Sequence, residues 1–247
     1  HYPLRRQRQM CIRDRVLAAL KVVGKGHCII EVGAGNGHLS LAIADAVANV
    51  SSDALLLVDK GRKPKGKSGH NRLAADPVLR QRFGEFERVQ LGLEDVDLTG
   101  LRDVLAPKRP TVIVAKHLCG AASDFVLRAI AAAALRPQPP VAVVLGTCCH
   151  HKCDWSAFPN RQFLQQTLGI ESERDFRILC RLSSRGVVAS DFSPRADAGR
   201  RAKDLLDEAR ASFLSAQGYD VRLITYVDAD ITPENVLIVG IRKDLPS

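Results

Sequence analysis

The stretch Glu31-Val-Gly-Ala-Gly-Asn-Gly37 decides the fold, because it joins a predicted strand, Cys28–Val32, to a predicted helix, His38–Ala48. Gly33 and Gly35 allow the backbone to turn tightly and a ligand to approach it closely. The first amides of the following helix can bind an acidic group of that ligand. A dinucleotide-binding loop would have its third glycine at position 38, which is a histidine here. The glycine comes one residue earlier, so the spacing differs from that of a dinucleotide loop.

This spacing resembles the S-adenosylmethionine loop of methyltransferases. The candidate cofactor-binding residues of the loop are Glu31, Gly33, Ala34, Gly35, Asn36 and Gly37. Asp59 ends the next predicted strand, Ala54–Asp59, where its carboxylate can accept hydrogen bonds from both ribose hydroxyls of the cofactor. Glu94 and Asp95 follow the third predicted strand, Val89–Leu93, and could reach the adenine amine; a solvated loop is the alternative for this pair.

Strands and helices alternate along the rest of the chain, which predicts an α/β fold with a mostly parallel sheet covered on both faces. Most of the predicted strands are continuous apolar runs, as expected for strands buried on both sides. The remaining strands are Thr111–Lys116, Val141–Thr147, Val221–Val227 and Val236–Ile241, and the remaining helices are Ala121–Leu135 and Ala198–Gln217. This order predicts a Rossmann-like, S-adenosylmethionine-dependent methyltransferase fold with an antiparallel C-terminal strand.

The size and composition favour one intracellular domain. The 247 residues suffice for a single hydrophobic core, and no apolar run is long enough to span a bilayer. Seven cysteines are an odd number in a chain of this size, which favours free thiols in a reducing compartment, cytoplasmic or nuclear, over disulfides. No membrane partner is expected, and the sequence does not indicate an oligomeric state.

The net charge of +9 is unevenly distributed. Residues 1–15 contain five arginines and one aspartate without an apolar period, and we expect them to be a disordered or artefactual segment that precedes a catalytic domain at residues 16–247. The remaining excess of +5 fits a polyanionic partner, because cationic surfaces gain affinity by releasing counterions from phosphates. An inert basic surface explains the charge equally well.

The segment Gly61–Ser68 matches the phosphate-binding pattern G-x-x-x-x-G-K-S, and a predicted strand precedes it. A nucleotide-binding protein of that class also needs an acidic residue at the end of a neighbouring strand to hold magnesium. The fourth and fifth predicted strands are instead followed by Lys, His and Cys residues. We therefore interpret the segment as a basic loop that binds RNA phosphates. Its candidate contacts are Lys63, Lys65, Lys67 and Arg72.

Two polar clusters follow the fourth and fifth strands, where open α/β sheets place their chemistry. The candidate catalytic residues are Lys116 and His117 in the first cluster, then His150 and His151 in the second. A zinc site is the alternative for the second cluster, with Cys148, Cys149, His150, His151 and Cys153 as its possible ligands. Adjacent ligands rarely surround one tetrahedral ion, and the chain has no paired C-x-x-C. No metal site is therefore predicted.

The runs VAKHLCGAASDFVLRAI (114–130), GTCCHHKCDW (146–155) and GRRAKDLLDEARASFLSAQGYDVRLITYVDADITPENVLIVGI (199–241) resemble the catalytic domain of the tRNA 2′-O-methyltransferases that modify the fourth nucleotide of the acceptor stem. With EVGAGNGHLS (31–40), the resemblance covers about residues 27–242. KHLCG and CCHH are specific to that family. The N-terminal zinc-binding modules of its eukaryotic members are absent from this sequence, the basic insertion after Asp59 is longer than expected, and 183–194 departs from the pattern.

The resemblance implies methyl transfer from S-adenosylmethionine to a ribose 2′-hydroxyl of tRNA, with Lys116 and His117 orienting and deprotonating that hydroxyl. No covalent intermediate is needed, because the sulfonium of the cofactor already activates the methyl group. Three alternatives stay open: a methyltransferase that acts on another RNA, a protein or a small molecule; a nucleotide-binding protein that uses Gly61–Ser68; and a non-catalytic RNA-binding protein. Intact Glu31, Gly33 and Asp59 argue against the last.

Overall fold

A computed structural model describes residues 11–18, 26–47, 50–61, 75–105, 109–188, 191 and 193–244, without the side chains of 104 and 105. The strands within these residues are β1 (Cys28–Val32), β2 (Ala54–Asp59), β3 (Glu85–Gln90), β4 (Thr111–Cys119), β5 (Ala142–Cys148), β6 (Tyr219–Thr225) and β7 (Val236–Arg242). The helices are α1 (residues 11–18), α2 (His38–Ala46), α3 (Asp76–Arg82), α4 (Leu98–Leu105), α5 (Ala121–Ala134), α6 (Arg161–Leu168), α7 (Glu173–Ser183) and α8 (Pro194–Ala216).

The strands form one sheet in the order β3-β2-β1-β4-β5-β7-β6. The pairs among β1 to β5 are parallel, whereas β7 runs antiparallel to both β5 and β6. Every residue of β1 and of β5 is buried, as continuous apolar strands between two helical layers require. The predicted Rossmann-like α/β fold with an antiparallel C-terminal strand is confirmed.

Each face of the sheet carries its own apolar cluster, because alternate residues of a strand point to opposite faces. Ile29, Leu55 and Val112 belong to one cluster, and their successors Ile30, Leu56 and Ile113 belong to the other. A third cluster, around Phe158 and Phe176, lies beneath α6, α7 and α8. None of the helices in the described part of the chain combines the length and apolarity needed to cross a bilayer.

The third strand was misplaced by the sequence interpretation. β3 spans Glu85–Gln90, whereas the apolar run predicted Val89–Leu93. β3 lies at the edge of the sheet and most of its residues are partly or fully exposed, so a strand of mixed polarity is stable there. Residues 93–95 form a 3₁₀ turn after the strand has ended.

The N-terminal segment is more ordered than expected. Residues 11–18 are helical, and the side chains of Ile12 and Val16 are completely buried in the cluster that contains Ile29. Their four-residue spacing places both side chains on one helix face. The prediction of disorder is therefore wrong for residues 11–15, and residues 1–10 lie outside the described residues.

Candidate functional site

The glycine loop between β1 and α2 turns through three left-handed residues. The φ angles of Gly33, Gly35 and Gly37 are +66°, +52° and +71°, a region that favours glycine. The Ala34 amide donates a 3.1 Å hydrogen bond to the Val58 carbonyl oxygen, which ties the loop to the carboxyl end of β2. Gly37 occupies the N-cap of α2 and has no side chain to cap it, so the first amides of the helix can meet an anionic group.

Asp59 lies beside this loop, as the sequence predicts. Its Oδ2 accepts a 2.9 Å hydrogen bond from the Gly35 amide, and its Oδ1 accepts a 3.0 Å bond from the Gly61 amide. The half-buried carboxylate therefore stands at the edge of the glycine loop, where β2 ends. The binding of cofactor hydroxyls by Asp59 stays a prediction.

Glu31 is buried beneath the loop, where its carboxylate faces α2. Its Oε2 accepts hydrogen bonds from the Ser40 amide, at 3.1 Å, and from the Ser40 hydroxyl. Burial raises the pKa of Glu31 to about 7, although the Ser40 hydrogen bonds oppose the shift. In this structure Glu31 joins β1 to α2, and cofactor contact by Glu31, Ala34 and Asn36 stays a prediction.

The sequence interpretation missed Arg88, which buttresses the glycine loop. Arg88 makes two hydrogen bonds to Asp76, Nε to Oδ2 at 2.8 Å and Nη2 to Oδ1 at 2.7 Å, and its Nη1 donates a 3.0 Å bond to the Gly35 carbonyl oxygen. Such two-point pairing fixes the guanidinium plane. A charged residue inside a strand was the available signal, but β3 itself had been misplaced.

Glu94 and Asp95 are exposed in the 3₁₀ turn that follows β3. Glu94 Oε1 lies 2.6 Å from Lys60 Nζ, and this hydrogen bond lowers the pKa of the Glu94 carboxyl. The pair spans the ends of β2 and β3, where the adenine was expected. Contact with the adenine stays a prediction. Of the predicted basic loop, residues 62–74, including Lys63, Lys65, Lys67 and Arg72, lie outside the described residues.

Lys116 and His117 do not follow β4 as predicted but lie within it, in a β-bulge. Ala115 pairs with Leu145 and Leu118 with Thr147, so β4 has one residue more than β5 between these pairs. A Cβ on Gly146 would overlap the Lys116 carbonyl oxygen, so glycine at that position allows the bulge to approach β5. Lys116 is half-buried and His117 is exposed.

The bulge borders the cofactor loop. A Cβ on Gly33 would lie 3.3 Å from Leu118 Cδ2 and 3.9 Å from the His117 carbonyl oxygen. The backbone that carries the two predicted catalytic side chains therefore packs directly against the glycine loop. The structure brings together the two regions that sequence reasoning assigned to cofactor binding and to chemistry.

The two histidines after β5 have different surroundings. His150 is buried, and its Nε2 lies 2.9 Å from Asp207 Oδ1, while the Thr147 hydroxyl donates a 2.9 Å hydrogen bond to Asp207 Oδ2. His151, the next residue, is exposed. Burial opposes ionisation of Asp207, but the interactions with His150 and Arg210 prevail and lower its pKa to about 2. Only His150 therefore joins the buried polar network; a catalytic role for either histidine stays a prediction.

Arg210 anchors this network and was also missed. Its side chain is fully buried, and Nε and Nη2 donate to the two Asp124 carboxylate oxygens at 2.8 and 3.1 Å. Nη1 donates a 3.1 Å bond to Asp207 Oδ1. Lys203, Asp207 and Arg210 share the buried face of α8. Charged residues at four- and three-residue spacing on the apolar face of an amphipathic helix were the signal that could have identified them.

A cavity of about 390 Å³ opens beside His150. Its lining includes Thr147, His150, Lys203, Asp207 and Glu234. Glu234 Oε2 lies 3.3 Å from Lys203 Nζ and 3.7 Å from His150 Nδ1. His150 Nδ1 and Glu234 Oε2 are buried without a hydrogen-bond partner among the described residues. The cavity therefore presents polar atoms that a bound polar group can satisfy.

The alternative zinc ligands after β5 do not converge. Cys153 Sγ accepts a 3.0 Å hydrogen bond from Arg210 Nη2, His150 faces Asp207, and His151 is exposed. That alternative set is therefore wrong. A different group of thiols, which includes Cys119 of β4, does converge and is considered below.

Comparison with known proteins agrees with these features. The family model described as Methyltransferase TRM13 matches residues 9–193 and 189–241. The tRNA:m(4)X modification enzyme TRM13 homolog of Homo sapiens is 23% identical over 304 residues, which cover 90% of this chain and 61% of the human protein. The tRNA:m(4)X modification enzyme TRM13 of Yarrowia lipolytica is 27% identical, covering 85% of this chain and 53% of the relative. The chain thus spans less than two thirds of these relatives.

Among solved structures, the CurJ carbon methyltransferase superposes with a TM-score of 0.50 and 13% sequence identity, covering 95% of this chain and 54% of that chain. This likeness concerns the fold alone and agrees with the Rossmann-like order of strands. The family match extends over most of the sequence and confirms the resemblance found in the KHLCG and CCHH motifs. The chain belongs to the TRM13 methyltransferase family.

Proposed function

We propose that this chain transfers a methyl group from S-adenosylmethionine to a ribose 2′-hydroxyl of tRNA, at the fourth nucleotide of the acceptor stem. The observation that carries the proposal is the contact between the β4 bulge, which holds Lys116 and His117, and Gly33 of the glycine loop. Family membership supports methyl transfer, and the relatives are named as tRNA modification enzymes. An intracellular location, cytoplasmic or nuclear, follows from that substrate.

The residues of the glycine loop fit the cofactor. Three left-handed glycines let its backbone approach a ligand, and a Cβ on Gly35 would meet nothing within 4 Å. The uncapped start of α2 suits a carboxylate, and the Asp59 carboxylate suits a pair of hydroxyl donors. When bound, the cofactor supplies a methyl group activated by its sulfonium.

The chain must then orient the ribose hydroxyl and remove its proton, because a neutral 2′-hydroxyl is a weak nucleophile. Lys116 and His117 are placed for both tasks, since the bulge borders the loop where the cofactor is proposed to bind. Correct alignment of the reacting atoms can supply several kcal/mol of the barrier reduction. A positioned base typically contributes a further factor of about 10²–10⁴.

The cavity beyond β5 suits the target nucleotide. Its buried His150 Nδ1 and Glu234 Oε2 can satisfy ribose or base polar groups, and Lys203 offers a positive charge nearby. Arg210 and Asp207 hold His150 in place from the opposite side. The network therefore positions the wall of the cavity, and the basic segment after Asp59 would contact the RNA backbone.

The test is to incubate the purified protein with tRNA and S-adenosylmethionine carrying an isotope-labelled methyl group, and to analyse the nucleosides by mass spectrometry. We expect one labelled 2′-O-methylnucleoside, which nuclease mapping assigns to position 4. The matched control is the same tRNA with a 2′-deoxynucleotide at that position, which should acquire no label. Label on a base, or on the deoxy substrate, would contradict the proposal, as would transfer to protein alone. Binding of ATP but not of the methyl donor would favour the Gly61–Ser68 alternative.

A further inference from the structure

Three cysteine side chains converge at the carboxyl edge of the sheet. The Sγ atoms of Cys119, Cys148 and Cys149 lie within 4.8 Å of one another. Cys119 and Cys148 are register partners on the parallel strands β4 and β5, so their side chains project to the same face. Their Sγ atoms are 3.1 Å apart. The pairing of the two strands therefore creates the first two positions of a thiol group.

Cys149 joins the group through an unusual backbone conformation. Adjacent residues of a regular strand point to opposite faces, which would separate Cys148 from Cys149. Cys149 instead has φ +50° and ψ +45°, in the left-handed region that residues other than glycine rarely adopt. This turn brings the third Sγ toward the other two. Strained conformations of this kind are found where the surrounding structure requires them, often at ligand sites.

The surrounding backbone holds the turn in place. The Gly120 amide donates a 2.9 Å hydrogen bond to the Cys148 carbonyl oxygen, and the Lys152 amide donates a 2.8 Å bond to the Cys149 carbonyl oxygen. A Cβ on Gly120 would overlap the backbone of Lys152, so glycine there allows the turn to lie over the end of β4. The thiols are thus fixed by main-chain contacts from both strands.

We propose that Cys119, Cys148 and Cys149 together bind one Zn²⁺ ion, with water as a fourth ligand. A Zn–S bond of about 2.3 Å requires sulfur atoms to lie about 3.8 Å apart in a tetrahedron. The separations in this group, from 3.1 Å up to the 4.8 Å limit, bracket that value. Each thiol releases its proton to solvent when the metal binds. Cys119 is exposed and Cys149 half-buried, so an ion can enter.

This site differs from the zinc set considered in the sequence, which contained only residues that follow β5. The third ligand, Cys119, is contributed by β4, 29 residues before Cys148. The ion would join the ends of β4 and β5 immediately after the bulge that carries Lys116 and His117. Binding should therefore raise the melting temperature, because it favours the folded chain.

The experiment uses the full chain, reduced and freed of metal, and does not depend on methyl transfer. Zn²⁺ is titrated in competition with a chromogenic chelator, and Cd²⁺ is titrated while its thiolate charge-transfer absorption is recorded. We expect one ion per chain and a melting temperature that rises with Zn²⁺. Cys119→Ser should weaken Zn²⁺ binding by at least the roughly 10- to 100-fold that loss of a ligand's supporting partner costs. It should also reduce the Cd²⁺ absorption by about a third.

The matched control is Cys11→Ser, which alters a partly exposed cysteine outside the cluster and should change neither titration. Cys149→Ser provides a second variant on a partly exposed side chain, in case one substitution impairs folding. Equal Zn²⁺ affinity in wild type and in both cluster variants would overturn the proposal. It would also be overturned if the reduced protein showed no Cd²⁺–thiolate absorption. A readily formed Cys119–Cys148 disulfide without Zn²⁺ binding would indicate a redox pair instead.

Discussion

Replacing Glu31 by glutamine should stabilise the protein at neutral and alkaline pH. Glu31 is only 2% exposed, and burial raises its pKa from the ordinary 4.5 to about 7. Between these values the folded protein retains a proton that the unfolded chain has released, so stability falls as the pH rises through this window. The full cost is present above pH 7 and amounts to about 3 kcal/mol. It is absent below about pH 4.5, where both states are protonated.

Glutamine is nearly isosteric and uncharged, and its carbonyl oxygen can still accept the Ser40 amide hydrogen bond. The Glu31→Gln variant should therefore gain up to about 3 kcal/mol over wild type at pH 8 and none at pH 4.5. Urea unfolding at half-unit pH intervals measures this difference directly. Glu87→Gln is the control, because that side chain is exposed on β3 and should give parallel curves. If the Glu31→Gln curve also runs parallel to wild type, Glu31 is ionised throughout and the reasoning fails.

Four further outcomes follow from the site. Asp59→Ala should weaken S-adenosylmethionine binding by about 1–3 kcal/mol in calorimetric titration, and undiminished affinity would exclude Asp59 from the site. Lys116→Ala and His117→Ala should each lower turnover about 100-fold or more without changing cofactor affinity or melting temperature. Joint loss of stability and activity would indicate a structural role instead. Arg210→Met should reduce the free energy of unfolding by about 3–5 kcal/mol, because its carboxylate partners stay buried without their cation; a change under 1 kcal/mol would contradict this. Alanine at the three lysines of 61–68 should weaken tRNA binding and flatten its salt dependence, whereas an unchanged salt slope would place the RNA elsewhere.

The central strands could be predicted from the sequence because their burial is written as apolar runs. β1 and β2 have the predicted bounds, and β4 and β5 begin within one residue of theirs. β3 could not be placed in this way, since an edge strand buries only part of each residue and tolerates charge. The polar loops at the ends of β1 and β2 were predicted because glycine and acidic residues have local conformational and chemical meaning.

The parts of the site that depend on distant pairing could not be predicted. Arg210 and Asp124 are 86 residues apart, and no local pattern indicates that one neutralises the other. The bulge at Lys116 depends on a glycine in the neighbouring strand, and the convergence of Cys119 with Cys148 depends on strand register. Spacing along the chain therefore identified residue types with chemical potential but not the partners that orient them.

The position of β7 has a consequence for synthesis on the ribosome. β7 lies between β5 and β6, so β6 joins the sheet through a strand that is translated after it. The edge of β5 stays open to other chains until residues 236–242 have emerged, and unpaired strand edges promote aggregation. A chain that is truncated even shortly before its C-terminus should therefore be a substrate for chaperones and proteases, although its glycine loop is already complete.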